Sequence, residues 1–236
     1  MSNGATEASV EPSASLRPTA QEPRMRMLSG EFVYFSSSVG VHKLSNFSAA
    51  RVVVEEGVFP SSEHAYQAIQ KFNPDEWHRF QINGDLSTID ALDKFYKPSV
   101  ATDKKKYWNR NKMVGIVPKM ASNPKWANKL RLRMRKHNPE KEAEHLAEIK
   151  PLFKRILLAK YRQNPEHAKA LLETGSKYLV EFGRGSKRET IAGREPLWTG
   201  LVEDGALYGR NLMGRMLMDV RDEMRREGLH SGKCAI

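Results

Sequence analysis

Pro60-Ser61-Ser62-Glu63-His64-Ala65-Tyr66-Gln67-Ala68-Ile69-Gln70-Lys71-Phe72 decides how this chain is read. Proline followed by two serines is a helix entry, with Ser61 or Ser62 capping the free amides. The spacing predicts a helix over 61–72. Its buried side is formed by Ala65, Tyr66, Ala68, Ile69 and Phe72. At about 100° per residue, Gln67 and Gln70 share the face of Glu63, and Lys71 lies about 80° round from it. Glu63 sits in the first turn, where the helix dipole favours negative charge and is expected to lower its pKa. An acid in a first turn and a lysine in a last turn are also ordinary helix stabilisation. Spacing alone therefore leaves a structural and a chemical reading open.

The neighbouring segments read as short elements. Glu31 to Phe35 is predicted as a strand, and Arg51 to Phe59 as a second strand with a break at Glu56-Gly57. Ala121 to Arg135 reads as one basic helix. Glu140 to Tyr161 reads as a helix that Pro151 divides in two. Pro165 to Glu173 is a short helix stopped by Thr174-Gly175, and Lys177 to Phe182 a strand. Residues 183–207 read mostly as loop. A last helix runs from Asn211 to Arg226 on the stripe Leu212, Met213, Met216, Leu217, Val220 and Met224, closed by Gly228. The fold class expected is α+β, predominantly helical, in one domain over 29–230 with a few short strands. Residues 1–28, rich in Ser, Ala, Pro and Glu, read as a disordered tail, and 231–236 as a short C-terminal tail.

Composition narrows the partners. The chain has 236 residues and a formal net charge of +11. Its mean hydropathy is −0.61. It holds no apolar run long enough for a membrane span and no apolar stretch of a secretory signal at its start. Glu7, Glu11 and Glu22 oppose a transit peptide. The single cysteine, Cys234, excludes an internal disulfide framework and suits a reducing compartment, here the cytoplasm with the nucleus as the alternative. Between Lys94 and Lys136 stand 14 Lys and Arg against one acid, Asp103. That segment is +13 and the remainder −2. A stretch this basic calls for a polyanion such as nucleic acid or a phosphorylated nucleotide, or else is a solvated helix face. Phe95, Tyr96, Tyr107, Trp108 and Trp126 are its aromatic residues available for stacking. The seven histidines show no metal-ligand spacing, and neither a metal nor a cofactor is expected.

Six further blocks carry a family resemblance: Leu44-Ser45-Asn46-Phe47, Lys160-Tyr161-Arg162-Gln163-Asn164-Pro165, Leu171-Leu172-Glu173-Thr174-Gly175, Leu179-Val180-Glu181, Glu195-Pro196-Leu197-Trp198, and Gly209 through Arg221. With the Ser-Ser-Glu-His helix, and in this order, they resemble the NADAR (YbiA-like) family over about 32–226. The resemblance implies a single YbiA-like domain and hydrolysis of an N-glycosidic bond. The substrate it implies is ADP-ribose on guanine in nucleic acid or nucleotide, toward which the basic segment leans. The alternative is a ribosylamino-pyrimidine phosphate of riboflavin synthesis. A third reading is a non-catalytic nucleic-acid or ADP-ribose binding module.

On these motifs Glu63 and Lys71 are the candidate catalytic residues. Glu63 would stabilise the sugar cation or activate water, and the resemblance implies that Lys71 engages the opened ribose, for instance as a Schiff base. Asn46, Phe47, Gln67, Glu195, Trp198, Gly209, Arg210 and Asn211 are the candidate substrate-binding residues. Gly209-Arg210-Asn211 is expected to offer fresh helix amides to a phosphate. Equally, Asn211 reads as a cap after a glycine turn. The chain departs from the family pattern at several points. Glu195 replaces an Asp, and Thr199 a Gly. A Gly-Arg pair is missing near 121–135, and His145 lies near the place of a tryptophan. Residues 73–118 resemble an insertion.

Overall fold

A computed structural model describes residues 26–27, 30–37, 40–95, 114–135 and 142–228. The strands are β1 (Arg26–Met27), β2 (Phe32–Phe35), β3 (Val52–Val54), β4 (Gly57–Phe59), β5 (Tyr178–Glu181), β6 (Leu201–Glu203) and β7 (Ala206–Tyr208). The α-helices are α1 (Ser62–Lys71), α2 (Ile116–Ala121), α3 (Pro124–Lys129), α4 (Glu142–Gln163), α5 (Pro165–Leu172), α6 (Ser186–Ile191) and α7 (Leu212–Arg226). Short 3-10 turns occupy His42–Leu44, Pro74–Arg79 and Ile89–Lys94. The fold is α+β and mostly helical, as the sequence implies.

The strands form three small sheets. β2 pairs in parallel with β5, β3 with β4 as a hairpin, and β7 lies antiparallel between β1 and β6. The Tyr34 hydroxyl joins two of them. It donates to the Val202 carbonyl at 3.0 Å and accepts from the Val202 amide at 2.7 Å. The core gathers α1, α4, α5 and α7 around Phe35, Phe59, Phe72, Phe153, Tyr161 and Leu217. No described helix is long and apolar enough to cross a membrane.

Several boundaries differ from expectation, each for a local reason. Arg26–Met27 is not loose tail but pairs with β7. The span 51–59 is a hairpin rather than one broken strand. Gly57, at φ +140°, supplies the reversal, and a side chain there would strike Gln81. The basic helix expected over 121–135 is confined to α3, Pro124–Lys129; α2 has ended at Ala121, and 130–135 are not helical. Ser122 is the C-cap of α2, and Asn123 caps α3 by accepting from the Lys125 amide at 3.0 Å, with Pro124 in the first turn. Pro151 does not divide α4, which runs unbroken through it. The stretch 183–207 holds α6, β6 and the start of β7. The insertion-like segment builds core, since Phe80, Leu86, Ile89, Leu92 and Phe95 are all buried. Residues 96–113 of it lie outside the described residues, as do most of 1–28 and all of 231–236.

Asn211 fastens α7 to β5. It is fully buried in the left-handed conformation, φ 46°. Its Nδ2 donates to the Leu179 carbonyl at 2.7 Å and its Oδ1 accepts from the Glu181 amide at 3.0 Å. Gly214, one turn on, lets the helix close down: a Cβ there would lie 2.1 Å from the Leu179 carbonyl oxygen. Asn211→Ala removes both bonds and the residue type that tolerates this backbone. It is expected to lower stability by about 2–4 kcal/mol, read from urea midpoints.

Candidate active site

The site grows from the start of α1. Ser61 is the N-cap, its Oγ accepting from the His64 amide at 3.2 Å. The loop after His42–Leu44 docks on this end of the helix. The Asn46 carbonyl accepts from the Glu63 amide at 3.1 Å and from the Ser62 hydroxyl at 3.1 Å. Glu63 is thereby held inside, only 3 % exposed. The Asn46 Nδ2 donates to Glu63 Oε2 in a short contact. One turn on, the Gln67 Nε2 donates to Glu63 Oε1 at 2.7 Å. Both amides turn their NH₂ groups to the carboxylate. Their carbonyl oxygens, Asn46 Oδ1 and Gln67 Oε1, are buried without a hydrogen-bond partner. A carboxylate framed by two spare acceptors suits a ligand that brings hydroxyl donors, as a ribose does.

The expectation that the helix dipole lowers the pKa of Glu63 is corrected. Burial raises it, against the opposing pull of Lys119, Gln67 and Asn46. A dipole contributes up to about 2 kcal/mol. Removing a carboxylate from water costs several kcal/mol, so burial prevails. The neighbouring His64 is structural. Its ring contacts Ser61 Oγ at 2.8 Å and the Leu86 carbonyl at 3.1 Å, and burial lowers its pKa to about 3.

A second carboxylate lies within electrostatic range of the first. Glu181 ends β5, and its pKa is pushed up to about 8, first by burial and then by the charge of Glu63. Lys119 on α2 opposes the shift at both carboxylates. Gly115 makes this arrangement fit. A Cβ there would lie 2.6 Å from Phe47 Cα and 3.0 Å from Glu63 Cβ, so α2 approaches closely only with glycine at this position. The Gly115 amide also donates to the Phe47 carbonyl at 3.0 Å.

Because Glu181 binds its proton more tightly folded than unfolded, the folded chain holds the extra proton between 4.5 and about 8. Its contribution to stability is full below that window and is lost as pH rises through it. Glu181→Gln is expected to flatten that decline, measured as Tm against pH.

Other sequence candidates fall in varied places. Trp198 joins Tyr66 and Phe153 in an aromatic cluster. Tyr66 stacks on Phe153 at 4.2 Å, and Trp198 meets the two edge-on at 5.8 Å and 5.6 Å. Burial and the charge of Glu63 push the Tyr66 phenol pKa up, so this cluster lies within electrostatic range of Glu63. Phe47 is half-buried. Lys71 is half-buried in the last turn of α1, about 12 Å along the axis from Glu63. Glu195 is exposed. Thr199 fills the family's glycine position by placing its hydroxyl 3.1 Å from Ser186 Oγ.

The phosphate cradle expected at Gly209-Arg210-Asn211 is corrected. The amides there are already taken: Arg210 N by Pro196 O at 2.7 Å, Asn211 N by Thr199 O at 3.1 Å, Leu212 N by Leu197 O at 2.9 Å and Met213 N by Trp198 O at 3.3 Å. They bind the Trp198 loop, not a ligand. Gly209, at φ +86°, turns too tightly for a side chain, which would strike the Thr199 carbonyl. Arg210 is exposed, and Asn211 is the buried clasp described above.

The basic segment is also partly tied down. Lys94 pairs with Asp85 at 2.7 Å, Arg133 with Asp75 and Glu76, and the Arg135 Nε donates to the Phe72 carbonyl at 3.0 Å. Phe95 is core, and Trp126 packs against it with Lys129 above its ring. Neither is a free platform for a base. Tyr96, Tyr107 and Trp108 lie outside the described residues. Among the described residues, no cluster of His, Cys, Asp and Glu could hold a metal ion.

Three residues went unrecognised as site residues in the sequence. Glu181 was visible only as the end of Leu179-Val180-Glu181, and Lys119 only as one of 14 cations. Lys160 is fully buried. Its Nζ donates to Lys43 O at 3.0 Å, Ser45 O at 2.8 Å and Ser48 Oγ at 3.0 Å. It anchors the loop that carries Asn46.

The fold and site define an α+β domain built around a buried first-turn glutamate with a second carboxylate within its electrostatic range. Residues 31–225 match the NADAR domain, and the chain belongs to that family. It is 34% identical over 91 residues to N-glycosidase R617 of Acanthamoeba polyphaga mimivirus. That stretch is 39% of this chain and 51% of the relative, so the chain spans about half the length of the curated protein it matches. A solved structure similar to it is the NMR structure of the E. coli protein YbiA, with TM-score 0.44 and 17% identity, covering 89% of this chain and 95% of that one.

Proposed function

We propose that this chain is an N-glycosidase that hydrolyses the bond between a ribose and a nitrogen base in a phosphorylated substrate. ADP-ribose attached to guanine, in nucleic acid or nucleotide, is the substrate favoured. The observation that carries the reading is Glu63, buried and held by Asn46 and Gln67, whose spare oxygens suit ribose hydroxyls. The family membership and the printed activity of the viral relative support it.

The bond between the anomeric carbon and the base nitrogen breaks with its electron pair leaving on the nitrogen. Glu181, protonated at neutral pH, donates the proton that the departing base takes up. Glu63 faces the positive charge left on the sugar and orients water toward it. The water oxygen bonds to the anomeric carbon, and its lost proton restores Glu181. Trp198, with Tyr66 and Phe153, forms an apolar wall for the base. Lys71 engages the opened ribose, and Lys119 offers positive charge to a substrate phosphate. The charge of +13 between Lys94 and Lys136 supports a nucleic-acid-linked substrate.

The test offers guanine-ADP-ribosylated DNA and a ribosylamino-pyrimidine phosphate side by side and identifies the freed base by mass spectrometry. Guanine is the expected product. A freed pyrimidine assigns the riboflavin-type substrate. No product, with tight salt-sensitive binding of the modified DNA, leaves a binding module and removes the enzyme reading.

A further inference from the structure

A pocket of about 490 Å³ opens between α4 and α7, away from Glu63. Lys150, Lys154 and Arg215 line it on the charged side with Tyr178. Pro151, Leu212, Met216 and Met218 make its apolar side, and Asp219 is its one acid. Two donors there are buried without partners, the Tyr178 hydroxyl and the Arg215 Nε. Unpaired buried donors are costly, and here two belong to residues that line one cavity with a surplus of positive charge. Only Lys154 has an ion pair among the described residues, to Glu223 at 2.8 Å.

We infer that this pocket binds the phosphate of a nucleotide. A phosphate supplies acceptor oxygens for a phenol and a guanidinium at once, and the fork of Arg215 with two flanking amines suits its charge. The sulfur and aliphatic groups of Met216, Met218, Leu212 and Pro151 take the less polar sugar or base. The volume is that of an ordinary small-molecule site. Side chains alternate along a strand, so Tyr178 and Glu181, three apart on β5, leave it on opposite faces. The phosphate site is therefore separate from the carboxylate pair, and its ligand is held rather than cut. The inference does not depend on the glycosidase reading.

Methyl-labelled methionine NMR of the full chain tests it, since two of the ten methionines line the pocket. ADP-ribose is expected to shift the Met216 and Met218 methyl signals saturably, and inorganic phosphate to compete. Arg215→Gln and Lys150→Glu are each expected to weaken this binding about tenfold or more, whereas Glu63→Gln leaves it unchanged. Lys150 is exposed, so its variant reports on binding without threatening the fold. A short single-stranded DNA that binds more tightly than ADP-ribose at the same methyls keeps the site and assigns its phosphate to a nucleic acid strand. Unshifted Met216 and Met218, or parent-like binding by both pocket variants, overturns the inference. So does loss of the methyl shifts in Glu63→Gln alone.

Discussion

Glu63→Gln is expected to lower kcat for base release by about 10²–10³-fold while leaving the protein as stable as its parent. The amide keeps the shape of the side chain but carries no charge. One preorganised group facing developing charge contributes about 10²–10³, and a positioned base about 10²–10⁴. In the proposed step Glu63 has the first role and orients the water, whose proton passes to Glu181. On the folding side, burial already disfavours the ionised form of Glu63, so a neutral amide lightens that burden. Asn46 and Gln67 can each reverse their amides to meet the new group. Thermal unfolding of the variant should match or exceed that of the parent. Lost stability with retained turnover would make Glu63 a structural residue and remove it from the chemistry. Retained turnover within about tenfold of the parent, whatever the stability, would do the same.

The fold was legible wherever local signals act alone. Ser61 caps α1, the methionine and leucine stripe forms α7, and α5 stops at Leu172 just short of Thr174-Gly175, as periodicity and capping chemistry require. Where tertiary packing overrides a local rule, the sequence misled. Pro151 stays inside α4 because packing along the helix outweighs one lost backbone bond. The carboxylate of Glu63 was legible as a candidate, but not the direction of its pKa. Burial depends on the loop carrying Asn46 and on Gly115, which lie 17 residues before and 52 after it. Distance along the chain also hid Glu181 and Lys119, whose relation to Glu63 exists only after β5 and α2 have packed. The apparent phosphate cradle at Gly209-Arg210-Asn211 failed because capping partners can come from any segment. Here they come from residues 196–199.

The second large effect is expected at Lys160, a positioning residue. Its ammonium has no carboxylate partner and instead bonds three oxygens of the loop ending at Ser48. That loop presents Asn46 to Glu63, so loosening it disturbs the carboxylate without touching substrate. Lys160→Ala removes a buried side chain and strands those acceptors, a loss of about 3 kcal/mol or more. Lys160→Met keeps most of the volume and is expected to cost less while still lowering kcat well beyond any change in KM. The charge of the amine matters too. Burial pushes its pKa down to about 7, while the three acceptors favour the ammonium. Lys43, His42, Glu166 and His167 are the titratable neighbours around this end of the loop. Since the folded value lies below the unfolded 10.5, the unfolded chain binds more protons between about 7 and 10.5. The cost of burying the charge is full below about 7 and is relieved as pH rises through that window. A neutral amine donates only two hydrogen bonds, so the loop loses a tether over the same range. The parent should therefore gain stability relative to Lys160→Met as pH rises above 7, while its kcat declines. Deprotonation of Glu181 at about 8 lowers kcat in both proteins, so the variant, with low turnover, should lack only the part of the decline that sets in at about 7. Tm and kcat for both proteins between pH 6 and 9 measure the two trends together. If Lys160→Met keeps the parent's kcat and the early part of its decline at about 7, Lys160 holds up the fold and nothing more.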